Sequence, residues 1–146
     1  MAFKFRFETL QRVRKIREDM AQQEFSKVQI HLQRLEHVRE SRINQKVSSG
    51  KDLMARMKRG IHADDVRAYD NFATYLDNVI EQLEMQIVQA RKMLEQKRME
   101  LLKAKREYKA MERLREIDLE RYRAEESRKE MNFINEIAIQ RHGSRP

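Results

Sequence analysis

Four histidines, His31, His37, His62 and His142, are the side chains best suited to move protons or hold a metal in this 146-residue sequence. Metal ligation from one helix needs rings three or four residues apart, so that both share a face. His31 and His37 stand six apart, on different faces, and the other two have no near neighbour. All four read as solvated surface side chains. There is no Cys to serve as a nucleophile or thiolate ligand. The three glycines, Gly50, Gly60 and Gly143, stand alone, so no loop cradles phosphate. Carboxylates are plentiful, but a catalytic pair needs a water-poor pocket to separate its pKa values. The expectation is a chain with no catalytic, cofactor-binding or metal site, and not an enzyme.

The elements that position side chains here are helices. The chain is 38% charged and 40% hydrophobic, with 32 Lys+Arg against 24 Asp+Glu and a net charge of +8. Its one proline is Pro146, so no proline breaks the chain internally. Average domains carry about 25% charged residues and far more Gly and Pro. A β-sandwich, an α/β enzyme and a disulfide scaffold are excluded. Interspersed charge with apolar residues at helical spacing also separates the chain from a disordered tail. The absence of Cys fits a reducing compartment. No apolar run approaches the roughly 18 residues of a membrane span. The alternating start Met1-Ala2-Phe3-Lys4-Phe5-Arg6-Phe7 has no continuous apolar stretch of a secretory signal.

The heptads are more specific. From Tyr69 the 3-4 spacing picks out Tyr69, Ala73, Leu76, Ile80, Leu83, Ile87, Ala90, Leu94, Lys97, Leu101, Ala104, Tyr108 and Met111. Only Lys97 among these is polar, as a coiled-coil seam requires. A second seam, Ala21, Phe25, Val28, Leu32 and Leu35, lies upstream, and Leu10, Val13, Ile16 and Met20 extend it with some drift in phase. Ser48-Ser49-Gly50 reads as a helix stop, and Asp64-Asp65 as a start. The expectation is all-α: a single antiparallel two-helix coiled-coil hairpin with helix 1 over about 7–48, a bend over 49–64, helix 2 over about 65–138 and a tail over 139–146. Helix 2 is longer and projects past its partner. A bend centred near residue 56 sets Ala21 opposite Arg91 and Met1 opposite Met111, where the apolar heptad ends.

Charge and exposed apolar residues suggest where partners bind. Residues 64–90 carry six acids and one base, whereas 91–116 carry ten bases and five acids, and 1–17 six bases and one acid. The basic excess thus gathers at the open end of the hairpin. Phe3, Phe5 and Phe7 alternate there, either packing on helix 2 or anchoring a partner. Near the bend, Phe72, Tyr75 and Val79 lie beside Tyr69, Leu76 and Leu83. This arc is wider than one partner helix covers, so it either docks a partner or folds its rings over the hairpin. Bases mixed with acids read as a solvated coiled-coil flank rather than a nucleic-acid surface.

Two ends of the sequence resemble a known family. The opening Phe3-Lys4-Phe5-Arg6-Phe7-Glu8-Thr9-Leu10, followed by Val13-Arg14-Lys15-Ile16-Arg17-Glu18, resembles the aromatic start and arginine-rich first helix of FliJ, the small coiled-coil protein of the bacterial flagellar type III export apparatus. Tyr69-Asp70-Asn71-Phe72-Ala73-Thr74-Tyr75-Leu76 is similar to that family's tyrosine-rich entry into helix 2. Tyr122-Arg123-Ala124-Glu125-Glu126-Ser127-Arg128-Lys129-Glu130 and Asn135-Glu136-Ile137-Ala138 resemble its tail, with Asn135 where the family often has Asp.

The resemblance implies a stalk-like, non-enzymatic component needed for flagellum assembly and motility. It would engage a hexameric export ATPase and its regulator, contact the cytoplasmic domain of the export-gate membrane protein, and assist export chaperones. Its place would be the cytoplasm, at the inner face of the membrane, with no direct membrane insertion, no nucleic acid and no cofactor. The expected ATPase-binding residues are Phe5, Phe7, Arg12, Arg14, Arg17, Arg113, Arg115 and Arg121. Those expected to meet the export gate are Tyr69, Phe72, Leu76, Val79 and Leu83. The alternatives are the stalk protein of a virulence-type secretion system and a basic coiled coil that binds nucleic acid.

Overall fold

The computed structural model describes residues 2–143, which form two long helices, α1 (Glu8–Met57) and α2 (Ala63–Gly143). They pack against each other as an antiparallel all-α hairpin. Glu8 opens α1 and Asp64 and Asp65 open α2, where carboxylates suit the positive end of the helix dipole. Arg56 and Arg141 stand in the last turns, where cations suit the negative end. Among the described residues no helix is long and apolar enough to cross a membrane.

The turn falls later than the sequence predicts. α1 runs through Ser48-Ser49-Gly50 to Met57 because Ser49 and Leu53 continue the inward heptad and are half-buried. Gly50 has ordinary helical backbone, so it ends nothing. The stop is Gly60, whose φ of 93° only a residue without Cβ adopts readily. Its amide donates to the Met57 carbonyl at 3.3 Å, closing the last turn. The amides of Asp65 and Val66 donate to the His62 carbonyl at 3.1 and 3.2 Å and start α2. At the far end α2 continues through the predicted tail to Gly143.

Two compact units divide the chain, one within Met1–Met20 and Leu102–Pro146, the other Ala21–Leu101. In the unit Ala21–Leu101, Leu32, Ile87 and Ala90 form the core cluster, with Leu35 and Leu94 packed against it. Leu76 and Ile87 are each 1% exposed. Arg39, Arg42, Ser49 and Leu53 carry the α1 heptad onward, half-buried. Lys46 pairs with Asp77, and Arg91 with Glu36 at 3.4 Å. The Tyr69 hydroxyl donates to Asp52, and the Arg56 guanidinium lies 5.8 Å from the Tyr69 ring centre.

The other unit has a more polar seam. Phe5, Ala104 and Met111 are buried. Opposite them α1 turns inward Gln11, Arg14 and Glu18, in strict phase with Ala21 and Phe25. Leu10, Val13, Ile16 and Met20, expected to extend the seam, are exposed instead. Keeping the heptad phase outweighs burying those four. Arg14 Nη1 donates to the Glu107 carbonyl at 3.2 Å, and Arg6 Nε pairs with Asp118 at 3.1 Å. Phe3 meets Tyr122 with ring centres 5.5 Å apart, and Lys15 Nζ sits 5.1 Å from the Tyr108 ring centre.

These pairs correct the expected register. Residues 46 and 77, 36 and 91, 14 and 107, and 6 and 118 face each other, so paired numbers sum to 123, 127, 121 and 124 rather than about 112. Arg91 therefore meets Glu36, not Ala21. Met1, expected opposite Met111, lies outside the described residues. The seam does not end at Met111, because Asp118 and Tyr122 take partners beyond it. The cause is the longer α1, which moves the bend centre toward residue 61.

Truncating Ile87 to Ala should destabilise the fold by about 2–5 kcal/mol, measured by urea unfolding followed by circular dichroism. Val88→Ala, next to it but exposed, should leave the midpoint nearly unchanged. Tyr69 has its pKa raised above 10, first by its hydrogen bond to Asp52 and then by burial. A raised pKa gives stability present below the unfolded value and lost as pH rises through the folded one. Wild type should therefore lose stability above about pH 10, and Tyr69→Phe should remove that component of the alkaline loss.

Candidate interaction surfaces

Each predicted site residue now has a place. Of the set expected to meet the ATPase, all belong to the unit within Met1–Met20 and Leu102–Pro146. Phe5 is buried, with Phe7 edge-on to it at 5.9 Å between ring centres. Phe5 is thus a packing residue, and Phe7 is the ring that reaches the surface. Arg14 is half-buried and held by the Glu107 carbonyl. Arg113 pairs with Glu116 at 3.6 Å. Arg12, Arg17, Arg115 and Arg121 are exposed. Phe5 and Arg14 are thus taken up by packing, and the arginines of the set that stay exposed are Arg12, Arg17, Arg113, Arg115 and Arg121.

The second set belongs to the unit Ala21–Leu101. Leu76 is buried against α1, and this corrects its expected role: it holds the helices together and offers nothing to a partner. Tyr69, Val79 and Leu83 are half-buried. Phe72 is 42% exposed and Tyr75 60% exposed, and their rings stack 6.5 Å apart. The accessible part of this arc is therefore Phe72, Tyr75 and the edge of Val79. Tyr75 is legible in the sequence as an arc residue, although it was not among the five expected to bind.

Sequence reasoning missed one surface. Phe7, Leu10, Arg14, Ala110, Met111 and Leu114 line a groove of about 300 Å³. Val13, Ile16 and Met20 extend its apolar character along exposed α1. The signal was present in the sequence: strict extrapolation of the Ala21–Phe25 heptad backwards lands on Glu18, Arg14 and Gln11. Their apolar neighbours Leu10, Val13, Ile16 and Met20 mask that polar run in the hydrophobic pattern. The result is an inverted patch, polar toward the partner helix and apolar toward solvent. Glu18 Oε2 is buried there without a hydrogen bond, with Lys15 Nζ 3.9 Å away. Among the described residues no three acids or histidines converge as a metal site.

The sequence model of the family described as flagellar FliJ protein matches residues 3–146. The chain belongs to that family. A relative from Bacillus subtilis (strain 168), named flagellar FliJ protein, is 26% identical over 142 residues, 95% of each chain. No solved structure matches. Membership makes the protein a flagellar, export-related component. It also gives meaning to the aromatic start of this FliJ-family chain. Phe3 and Phe5 fasten the first residues onto α2, which leaves Phe7 and the arginines outside.

Glu18→Leu should raise the unfolding free energy by about 1 kcal/mol, because it removes a buried oxygen without a hydrogen bond and adds apolar contact. Thermal melts read by circular dichroism check this. Phe72→Ala should leave the melting temperature within error of wild type, whereas Leu76→Ala should lower it clearly.

Proposed function

We propose that the protein is a non-enzymatic coupling component of flagellar export, working in the cytoplasm against the inner membrane face at the flagellar base. In this reading the unit within Met1–Met20 and Leu102–Pro146 engages a hexameric export ATPase and its regulator. The exposed faces of Phe72, Tyr75 and Val79 meet the cytoplasmic domain of the export-gate membrane protein, and export chaperones are further partners. The observation that carries the reading is the set of exposed arginines, Arg12, Arg17, Arg115 and Arg121, in one unit of a chain of this family. Guanidinium groups recognise carboxylates in a planar, two-pronged geometry and remain charged at every physiological pH. Such a rim sets association rate and orientation on an acidic partner. The family match over residues 3–146 favours the flagellar system over a virulence-type counterpart.

Purified protein should stimulate the cognate ATPase and bind it with marked salt dependence. Reversing three charges, Arg12→Glu, Arg17→Glu and Arg115→Glu, should weaken that binding about tenfold, equivalent to about 1.4 kcal/mol, with helicity unchanged. Wild-type protein that neither binds nor stimulates the ATPase would refute the coupling role.

A further inference from the structure

Within the unit of Met1–Met20 and Leu102–Pro146 the two flanks of the hairpin differ. One flank holds the groove of about 300 Å³ between Leu10 on α1 and Ala110 and Leu114 on α2. Residues three or four apart share a helix face. From Leu10 that row continues through Val13, Arg17 and Met20, all exposed. On α2 the matching row is Lys103, Arg106, Ala110, Arg113, Ile117 and Arg121, exposed except for half-buried Ile117. The apolar members extend the groove, and every charged member of both rows is a base. Of the acids nearby, Asp118 pairs with Arg6 at 3.1 Å and Glu116 with Arg113 at 3.6 Å. Glu107 is half-buried, and Glu120 stands exposed at the edge. Among the described residues Arg17, Lys103, Arg106 and Arg121 have no carboxylate within ion-pair distance.

The opposite flank neutralises itself. Glu8, Lys15 and Asp19 on α1, and Lys105, Glu112 and Arg115 on α2, carry both signs. Lys15 pairs with Asp19 at 3.4 Å and lies over the Tyr108 ring.

We propose that the groove receives a helix of a partner protein, with an apolar stripe seated between the two rows and Asp or Glu along both borders of that stripe. Three features select this occupant. The groove is lined by Leu10, Ala110, Met111 and Leu114, which recognise apolar side chains and offer nothing to a phosphate backbone. Both walls are helices, whose backbone groups already bond to one another. An extended segment would find no backbone partner there, whereas a helix satisfies its own N–H and C=O groups. Bases stand on both walls, and guanidinium groups pair best with carboxylates.

The rows also set a length. Residues 10–20 span about 17 Å and residues 103–121 about 28 Å, which matches three to five turns of a partner helix. A third helix here would cover Leu10, Val13 and Met20, which the hairpin leaves 40%, 38% and 60% exposed. This rests on the proposed function in one respect, that this unit is the end that meets a partner.

Fluorescence anisotropy with full-length protein and a synthetic helical peptide of about 19 residues, carrying Leu at 3-4 spacing and Glu on both borders, tests the groove. The peptide should bind, and versions with Lys for Glu or Ala for Leu should not. Arg17→Glu with Arg121→Glu should weaken binding about tenfold. Leu10→Gln with Val13→Gln should weaken it comparably, by removing apolar contact at exposed positions. Lys105→Glu with Lys109→Glu makes the same change in net charge on other faces. It should weaken binding less than about twofold, because salt screens charges more than about 8 Å apart. Circular dichroism should show equal helicity in all three variants. No binding of the peptide, equal losses from the two charge reversals, or equal binding of the Ala peptide would overturn the proposal. So would tighter binding of an oligothymidylate, which would assign the bases to nucleic acid. Wild-type self-association that Arg17→Glu with Arg121→Glu abolishes would overturn it too, by placing a second copy in the groove. No readout here involves the export ATPase, so failure of the groove and failure of the ATPase contact are told apart.

Discussion

Everything in this molecule depends on one seam. Two helices lying side by side bury only the residues that face each other, and no third layer covers what is left. Eight apolar side chains fall into the buried class, and no charged one does among the described residues. The fold therefore rests on side chains such as Leu32, Leu76 and Ile87, and on a register that keeps them opposed. Ion pairs such as Arg91–Glu36 are exposed and worth little individually, but they fix which residues meet. Two helices held this thinly leave most of their described residues exposed.

The seam also explains why the surfaces differ. In the unit Ala21–Leu101 the apolar residues of α2 face α1, and along α2 itself one flank of the seam is charged and the other is not. In the unit within Met1–Met20 and Leu102–Pro146 the heptad places Gln11, Arg14 and Glu18 inward and turns Leu10, Val13, Ile16 and Met20 outward. That inversion gives up apolar burial. Exposed apolar side chains beside exposed arginines are the composition of a docking face.

The α2 seam was fully legible in the sequence, because twelve of its thirteen positions are apolar or aromatic, and every one of the thirteen is buried or half-buried. The α1 seam was legible only from Ala21 to Leu35. Beyond those limits its inward positions are Arg39, Arg42 and Ser49 on one side and Glu18, Arg14 and Gln11 on the other, and hydrophobic pattern is silent about polar residues that face a partner. Ser48-Ser49-Gly50 read as a stop because those residues are poor helix formers, but packing of Ser49 and Leu53 overrides that weak preference. The shift in register follows from this continuation of α1 to Met57. The candidate surface residues were legible as a neighbourhood. Which of them lie inward, as Phe5 and Leu76 do, depended on heptad phase and on the fastening of the first residues to α2.

In the proposed function the arginine-bearing unit meets the ATPase and the unit near the bend does not. Photo-crosslinking in cells, with the probe placed at Arg17 or at Phe72, tests this most directly. The expected result is capture of the export ATPase from Arg17 and not from Phe72. Capture of the ATPase from Phe72, with none from Arg17, would contradict it.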